Sequence, residues 1–456
     1  MATRKRRRLT AVGLMAVGSL ALTGCLQNPD DSGAAGAGLE GYVDNAQTDG
    51  DGSVTILGAF GGTEQEAFEA SLAAFEEESG IDVNYTADQD FTTTIKTRVQ
   101  SGDSPDIGIF PQPGGIAEFV DSGSVQPIDT FLDYDALDDT LVPGFLDFAR
   151  FNGRVYAAPM RMAVKSVVYY PKQAWEEAGY PEEFETFQEL MEFSDELAAD
   201  GETPWCMGWE SDQATGWVGT DWIEQMMLVV NGPDVYDDWV NHDIPFNDPA
   251  VADATDAFAE IAKTDGMVLG GKEAILNTAF AEAALPMFED PPRCWMERQG
   301  NFGIGFFPEE IRSNLDEEVG VFQFPRYEGG YDGQPVLVGG DYAAVFNGND
   351  DDVAQVMEFI SADSFGGEWA AVGGWLSPHA TFDGELYPDD VTRAIADMAY
   401  EADVIRYDAS DLMPKSVGSG TFWTEMVKWI DGADTATTLD NLESSWPESG
   451  EETEES

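Results

Sequence analysis

Basic residues are scarce in this chain of 456 residues. Only 22 Lys and Arg stand against 87 Asp and Glu, so the formal net charge at pH 7 is −65. A field of this sign repels phosphate groups, which argues against nucleic acid and anionic lipid surfaces as partners. The acidity is typical of a protein kept soluble in a salty environment, where counterions screen self-repulsion. A role for the acidity in ligand choice is the alternative.

Cysteine and histidine are also rare. The chain has three cysteines, Cys25, Cys206 and Cys294, and two histidines, His242 and His379. These residues are too few and too scattered for a zinc site, and each histidine is expected to be an ordinary surface or loop residue. No GxSxG or HExxH motif occurs, which removes some classes of enzyme but not all of them. The sequence therefore predicts no metal and no cofactor.

Long hydrophobic runs are missing as well. The uncharged stretch Leu9–Leu22 is too short to span a bilayer comfortably, and it follows the basic cluster Arg4–Arg8, as in an export signal. It ends in Leu22-Thr23-Gly24-Cys25, which resembles the lipobox of bacterial lipoproteins. The resemblance implies that residues 1–24 are a signal peptide and that a lipid on Cys25 anchors the protein to the outer face of the cell membrane. A plain secretory signal with a coincidental cysteine is the alternative.

Low-complexity segments flank the predicted globular part. Residues 25–50 are rich in Gly, Ala, Asp and Asn and predict a flexible tether behind Cys25. This tether contains Gly36–Gly41, spelled GAGLEG, which has the spacing of a dinucleotide-binding loop but no strand before it. At the other end, residues 441–456 predict an acidic tail.

The two remaining cysteines form an even set if Cys25 carries lipid. In an exported protein, which meets an oxidising environment, this favours a disulfide between Cys206 and Cys294. Two buried free thiols are the alternative.

The pattern between the flanking segments predicts an α/β fold. Short β-type runs alternate with stretches whose apolar residues recur at helical spacing. Thr63, with Glu66 three residues later, has the capping-box pattern and predicts the start of the first helix. Such βαβ units imply a parallel sheet with ligand loops at the carboxyl ends of its strands. The elements, in order, are Ser53–Phe60, Thr63–Phe75, Ile81–Tyr85, Phe91–Val99 and Asp106–Phe110.

Several motifs carry a resemblance to a known family. In order they are FEEESGIDV at Phe75–Val83, GDSPDI at Gly102–Ile107, NGRVYAAP at Asn152–Pro159 and VKSVVYYP at Val164–Pro171. In this order and spacing the chain, from about residue 53 to residue 429, resembles the extracytoplasmic solute-binding proteins of sugar ABC importers.

Three further segments are similar to the branch of that family that binds α-glucosides. They are Pro204–Ile223, Gly232–Asn247 and Met413–Trp423. The same branch resembles this chain in having cysteine at both positions of the expected disulfide.

The resemblance implies a bilobal fold of two α/β lobes joined by a hinge, with the ligand bound in the cleft between them. We expect lobe one at 51–162 with 279–338, and lobe two at 163–278 with 339–440. Cys206 and Cys294 fall in different lobes by this division. A bond between them would hinder closure unless it lies beside the hinge.

A sugar site needs aromatic rings against the apolar faces of the sugar and planar polar side chains for its hydroxyls. The alternative role of Glu64 is to stabilise the helix amino end, and that of Arg161 is a structural ion pair. The alternative for Trp209, Trp217 and Trp423 is packing within a lobe. Trp222 is expected in the core. The expected ligand-binding residues are Glu64, Gln65, Gln112, Arg161, Trp209, Trp217, Asp341, Trp375 and Trp423.

The function implied is a monomeric receptor that captures an α-glucoside or small oligosaccharide by lobe closure. Its expected partners are the sugar, the transmembrane subunits of an ABC permease and, through the anchor, the membrane, with no nucleic acid. No covalent chemistry is expected. Two alternatives are an extracellular carbohydrate-active enzyme, since paired carboxylates near aromatic rings also describe a glycosidase, and a surface binding module without a transport role.

Overall fold

The computed structural model describes residues 50–88, 90–402 and 404–447. The predicted signal peptide at 1–24, the lipidated Cys25, nearly all of the tether and the last nine residues of the acidic tail lie outside the described residues. Within the described part, none of the helices has the length and apolarity needed to cross a membrane.

Strands and helices alternate along the chain. The strands are β1 (Ser53–Gly58), β2 (Asp82–Ala87), β3 (Ile107–Phe110), β4 (Arg150–Phe151), β5 (Arg154–Val155), β6 (Ala157–Val164), β7 (Val167–Pro171), β8 (Glu297–Arg298), β9 (Val319–Gln323), β10 (Val336–Val345) and β11 (Ile405–Tyr407). The α-helices are α1 (Thr63–Ser79), α2 (Phe91–Ser101), α3 (Ala117–Asp121), α4 (Tyr134–Asp138), α5 (Lys172–Ala178), α6 (Phe187–Asp200), α7 (Trp217–Asn231), α8 (Pro233–Val240), α9 (Pro249–Ala262), α10 (Gly271–Asn277), α11 (Glu309–Arg312), α12 (Leu315–Glu318), α13 (Asp351–Ile360), α14 (Gly367–Ala370), α15 (Asp390–Tyr400), α16 (Ala409–Leu412), α17 (Trp423–Asp431) and α18 (Thr435–Glu443). Short 3₁₀ helices lie at Pro113–Ile116, Ile128–Thr130, Phe145–Ala149, Asp212–Ala214, Phe280–Glu282, Leu285–Phe288, Asn301–Phe306 and Gly384–Leu386, and a π-helical turn at Val417–Phe422.

The predicted βαβ order at the start of the domain is confirmed, because β1 pairs in parallel with both β2 and β3.

The prediction of a capping box at the start of α1 is wrong. Gly62 holds the cap position with φ 59°, and no side chain caps the helix. The backbone N–H of Glu66 donates to the carbonyl oxygen of Gly62 at 3.1 Å. The turn out of β1 needs this left-handed conformation, which glycine adopts without strain.

Two sheets organise the fold. In the larger sheet, β10 pairs antiparallel with β6 on one edge; on the other edge it pairs antiparallel with β3 and parallel with β11. In the smaller sheet, β7 lies between β8 and β9 and is antiparallel to both. Only Lys165 and Ser166 separate β6 from β7, so the chain passes from one sheet to the other at these two residues.

The described residues form two hydrophobic cores. The first core contains buried residues of β1, β3, β6 and most of β10, and the second contains buried residues of α6, α7, α9 and α17. The strands β7 and β9 of the smaller sheet contribute residues to both cores. Two cores built from strands and helices agree with the predicted bilobal α/β fold.

The core packing differs from the expected division of the chain into lobes. Residues 342–407 pack in the first core, whereas 339–440 was expected in lobe two. The reason is that β10 pairs along β6 and β3, so that α13 and α15 cover the same sheet; the chain returns to the second core at Ala409. Conversely, Phe322 of β9 packs in the second core because β9 pairs with β7.

The disulfide between Cys206 and Cys294 is confirmed. Both cysteines pack at the edge of the first core, whereas Trp205, Met207 and Trp295 beside them pack in the second. The bond therefore lies at the boundary between the two cores. The expected division raised the difficulty that a bond between the lobes would hinder their closure, and this position answers it.

Candidate ligand cleft

A small, solvent-open cavity of about 20 Å³ lies beside the amino end of α1. Thr63 and Glu64 form one wall together with Trp369 of α14. Phe302 and Phe306, from the 3₁₀ helix that follows β8, line the cavity as well.

The aromatic wall of the cavity continues into the second core. The ring of Phe302 lies 6.0 Å from that of Trp217, and the ring of Phe306 lies 5.4 Å from that of Phe280. Both Trp217 and Phe280 pack against the second core, while Trp369 belongs to the first. The cavity therefore lies against the first core, and its aromatic wall reaches residues of the second core through Phe302 and Phe306.

Three charged side chains form a network at the edge of this cavity. Arg161 on β6 donates through Nη1 to Oε1 of Glu64 at 2.6 Å and through Nε to the carboxylate of Asp341 on β10. Arg161 and Asp341 are partners in the β6–β10 register. Gly340 allows the close approach of the strands, since a Cβ there would lie 2.2 Å from the carbonyl oxygen of Arg161. The β-ladder thus places both charges side by side.

The guanidinium of Arg161 is also held by aromatic rings. It lies 5.7 Å from the ring centroid of Phe60 and 5.3 Å from that of Trp369. Burial by itself lowers the pKa of Arg161, but the charges of Asp341 and Glu64 outweigh burial and raise the pKa above its ordinary value. Arg161 therefore stays charged and holds both carboxylates in place.

The Gly373-Gly374 turn closes one end of the cavity, with φ of 94° and 80°. Trp375, which follows it, is not exposed at all, and its ring packs against Trp369 at 6.3 Å and against Phe382 at 5.5 Å. The turn therefore leaves the Trp375 ring inside the first core in this conformation. Trp369, six residues earlier, lines the cavity, although its side chain is only 2% exposed and packs in the same core.

A second, buried network lies where the chain passes between the lobes. Lys165, between β6 and β7, places Nζ 3.0 Å from Oδ1 of Asp221 on α7 and 2.5 Å from Oδ2 of Asp408. Glu224 and Asp411 carry further buried carboxyl groups nearby. None of these five side chains was singled out from the sequence.

The pKa values in this network follow from burial and from the Lys165 ammonium. Burial raises the pKa of Asp221 to about 7, although Lys165 opposes the shift. Burial also disfavours the charged form of Asp408, but the charge of Lys165 and hydrogen bonds from Asp221, Lys165 and Ser410 prevail and lower its pKa to about 2. The ion pair is therefore Lys165 with an ionised Asp408.

The carboxylates of Asp221, Glu224 and Asp408 come within 4.8 Å of one another, a spacing that suits a metal ion. However, the Lys165 ammonium already contacts two of them, and the charge of buried Arg298 acts on all three. The chain thus supplies its own cations to this cluster, and the donor set does not call for a metal.

The two glutamines of the predicted site lie on loop and helix surfaces. Gln65 is half-buried and donates through Nε2 to Glu69 one turn along α1, at 2.7 Å. Gln112 is half-buried and precedes the 3₁₀ helix Pro113–Ile116. Within that helix a Cβ at Gly114 would lie 2.7 Å from the carbonyl oxygen of Asp411, so the loop of Gln112 rests on α16 of the second lobe.

The three remaining predicted tryptophans differ in exposure. Trp209 is completely buried in the second core and stacks on Phe258 at 6.3 Å. Trp217 is half-buried and donates through Nε1 to Oγ of Ser211 at 3.1 Å. Trp423 is half-buried, and its backbone packs against Gly216, the residue before Trp217. Trp222 lies in the core, as expected.

The structure thus brings Glu64, Arg161 and Asp341 into one network, and Trp217 adjoins the cavity through Phe302. Sequence reasoning missed the cavity residues Phe302, Trp369 and Arg312. A signal for two of them was available, since Gly300 and Gly303 flank Phe302, and Gly366-Gly367 precede Trp369.

Two α/β lobes, and a cavity whose aromatic wall reaches from one core to the other, define a bilobal binding protein. Residues 61–362 match the family model of the bacterial extracellular solute-binding protein, and the chain belongs to this family. The chain is 43% identical over 412 residues to the osmoprotective compounds-binding protein GgtB of Synechocystis sp., covering 90% of this chain and 95% of that protein. It is 33% identical over 402 residues to the alpha-glucosides-binding periplasmic protein AglE of Rhizobium meliloti, covering 86% and 87%.

Solved structures share the fold at low sequence identity. A chitin oligosaccharide binding protein superposes with a TM-score of 0.72 at 17% identity, covering 86% of this chain and 97% of that one. The maltose-bound MalE3 of T. maritima superposes with a TM-score of 0.66 at 16% identity, covering 86% and 98%.

The predicted family and bilobal fold are therefore confirmed. The relatives are binding proteins and not enzymes, which decides against a carbohydrate-active enzyme. The chain is an extracellular solute-binding protein.

Proposed function

We propose that this receptor captures an α-glucoside that serves as an osmoprotective compound and delivers it to an ABC permease. Two relatives support the two halves of this proposal, since one is named for osmoprotective compounds and the other for α-glucosides. The net charge of −65 fits a host in a salty environment, where such compounds are needed.

The observation that carries the proposal is the Glu64–Arg161–Asp341 network beside Trp369. A sugar ring offers hydroxyl groups at its rim and C–H groups on its faces, so it needs fixed acceptors next to an aromatic surface. Arg161 fixes the Glu64 carboxylate at 2.6 Å, and the side chain of Glu64 is 30% exposed at the cavity. Because the carboxylate is already oriented, little conformational entropy is lost when a hydroxyl donates to it.

Aromatic residues from the opposite lobe complete the proposed site. Trp217 and Phe302 would cover the face of the sugar that Trp369 leaves free, with Gln112 and Trp423 on neighbouring loops. Gln65, Trp209 and Trp375 are left out of this site. Closure of the lobes then buries the ligand, and the ligand favours the closed state only because it contacts both walls.

We further propose that the lobes follow the two cores, so that residues 342–407 belong to the first lobe, and that the crossings of the chain between the lobes include Lys165 and Asp408. The protein acts as a monomer in this proposal, because a single cleft holds the ligand and no second copy is needed to complete it.

The anchor is the second part of the proposal. A lipid on Cys25 holds the receptor at the outer face of the membrane, and residues 26–50 let the lobes reach both solution and permease. We expect Cys25→Ser to release the protein into the medium without changing its sugar affinity. Retention of the variant on the cells would contradict the anchor, and the intact mass of the mature protein shows the lipid directly.

The ligand is tested by calorimetric titration of the purified protein with trehalose, maltose and sucrose at low and high salt. Chromatography of the sugar afterwards checks that it is unchanged. Saturable one-to-one binding of an intact α-glucoside supports the proposal. Absence of heat with all three sugars would remove the α-glucoside assignment and leave the family standing.

The site is tested with Glu64→Gln and a matched control on the same helix. Losing a charged acceptor that bonds a ligand hydroxyl costs about 1.5–3 kcal/mol, so we expect the affinity to fall by about tenfold or more. Glu77→Gln removes an exposed carboxylate at the far end of α1 and is expected to leave the affinity unchanged. Equal affinities for both variants would place the sugar elsewhere.

A further inference from the structure

A second cavity adjoins the ligand cleft in lobe one. It is open to solvent and has a volume of about 310 Å³, at the lower end of the range of about 300–1,000 Å³ that is usual for ligand sites. The two cavities share Arg312, Val372 and Gly373 in their linings, so they are adjacent.

Arg312, at the end of α11, stands where the two cavities join. Its Nε donates to the carbonyl oxygen of Phe307 at 3.1 Å, which fixes the plane of the guanidinium. No carboxylate of the described residues forms an ion pair with it, although the chain has 87 acidic residues. Every other arginine in the described part forms such a pair, except the completely buried Arg298. The Nη donors of Arg312 thus remain free for a ligand in the cavities.

The second cavity also offers an apolar surface and hydrogen-bond acceptors. Val372 is 48% exposed, one of the few large hydrophobic side chains of the described residues that face solvent. Asp316 is fixed because its Oδ1 accepts from the backbone N–H groups of Asp390 and Val391 at 2.7 and 3.2 Å, and Glu317 is exposed beside it. Donors, acceptors and an apolar side chain together match a polyhydroxylated group.

The charge around the second cavity restricts the ligand further. Asp316, Glu317 and Asp389 all line it, against the single positive charge of Arg312. An anionic substituent would meet net repulsion there, whereas a neutral polyol gains hydrogen bonds from both signs of charge.

We infer that the cleft has a second subsite centred on Arg312, which takes the second sugar ring or the polyol part of a neutral glycoside. This inference rests on the proposed function, and it adds that the receptor selects two-unit ligands over single sugars. Arg312 is then the residue that determines this specificity, since its fixed fork of N–H groups bonds two neighbouring hydroxyls at the junction.

The test is calorimetric titration of the purified protein with methyl α-glucoside, which has one ring, and with maltose and trehalose, which have two. We expect Arg312→Gln to weaken binding of whichever two-ring sugar the wild-type protein binds by about tenfold, and that of methyl α-glucoside by less than about twofold. Glu317→Gln, an exposed change that leaves packing intact, is expected to act in the same direction. Arg326→Gln, outside both cavities and paired with Glu185, is the matched control and should change neither affinity.

The outcomes separate this inference from the proposed function. A failure of the proposed function appears in the wild-type titrations as absence of binding of every glucoside, which overturns both. A failure of the second subsite appears only in the variants, as an equal loss for one-ring and two-ring sugars or as no loss for either. Unchanged melting temperatures of the variants show that a selective loss of affinity comes from the cavities and not from misfolding.

Discussion

Replacing Lys165 with methionine removes the ammonium that pairs with Asp221 and Asp408 in the buried network. Their side chains are only 9%, 3% and 2% exposed, so water cannot take the place of the lost cation. Removing one partner of a buried ion pair costs about 3–5 kcal/mol, because the remaining charge stays buried without compensation. Methionine nearly preserves the length and volume of lysine, so little of this loss comes from packing. We expect Lys165→Met to lower the free energy of unfolding by about 3–5 kcal/mol at pH 8.

The pH dependence of this loss has a definite sign. In the wild-type protein Lys165 helps to hold the pKa of Asp408 at about 2, below its usual 3.8. A carboxyl with a lowered pKa stabilises the fold above pH 4, and this contribution is lost as the pH falls towards 2. Without the ammonium, buried Asp408 takes up a proton at a higher pH and loses its uncompensated charge. The loss caused by Lys165→Met is therefore smaller at pH 5 than at pH 8.

The assay is urea unfolding without ligand, followed by tryptophan fluorescence at both pH values. Lys272→Met is the matched control, because Lys272 pairs with Asp431 at the surface, where the two side chains are 49% and 69% exposed. A pair of this kind contributes little, so the control is expected to change the stability by less than about 1 kcal/mol. Equal losses for both lysine variants, or a loss at pH 5 as large as that at pH 8, would refute the reasoning.

Three further changes probe the core and the disulfide. The double change Cys206→Ser and Cys294→Ser opens a loop whose ends are 88 residues apart, and it is expected to cost about 2–5 kcal/mol in urea unfolding. Trp375→Ala is expected to cost about 3–5 kcal/mol because the ring is fully buried, and a normal melting curve would contradict its place in the core. His379 is buried rather than at the surface as expected, and burial lowers its pKa to about 4. The neutral imidazole of His379 stabilises the fold fully above pH 6.5, and this contribution is lost as the pH falls towards 4. His379→Asn should therefore reduce the loss of stability between pH 6.5 and pH 4 by about 3 kcal/mol, as measured by unfolding at several pH values.

Local patterns were enough to predict the first layer of the fold. The order from β1 to β3 follows from alternating periodicity, which depends on neighbours in the sequence. The cap of α1 could not be predicted in the same way. Thr63 and Glu66 have the right residue types, but the backbone turn after β1 gives the cap position to Gly62. The capping-box pattern of Thr63 and Glu66 and the turn at Gly62 are both local signals for a helix start. The path of the chain from β1 into α1 places Gly62 at the cap position.

The site was only partly predictable, because burial depends on contacts distant in sequence. Trp369 and Trp375 both follow a pair of glycines and pack in the first core, yet only Trp369 lines the cavity. The Lys165 network was missed for a related reason. Asp221 and Asp408 resemble the many solvated acids of this chain, and only the meeting of β6, α7 and α16 reveals them as buried partners.

The two charged networks use the same chemistry in different ways. In the buried network the Lys165 ammonium and the Asp408 carboxylate satisfy each other, so neither is left for a ligand. In the cleft, Arg161 holds Glu64 through one oxygen, and the carboxylate is still 30% exposed. Hydroxyl groups need acceptors that reach the open cleft, which Glu64 offers and Asp408 does not. Ligand affinity should therefore depend on Glu64 and folding stability on Lys165, and the two substitutions should separate these properties within one molecule.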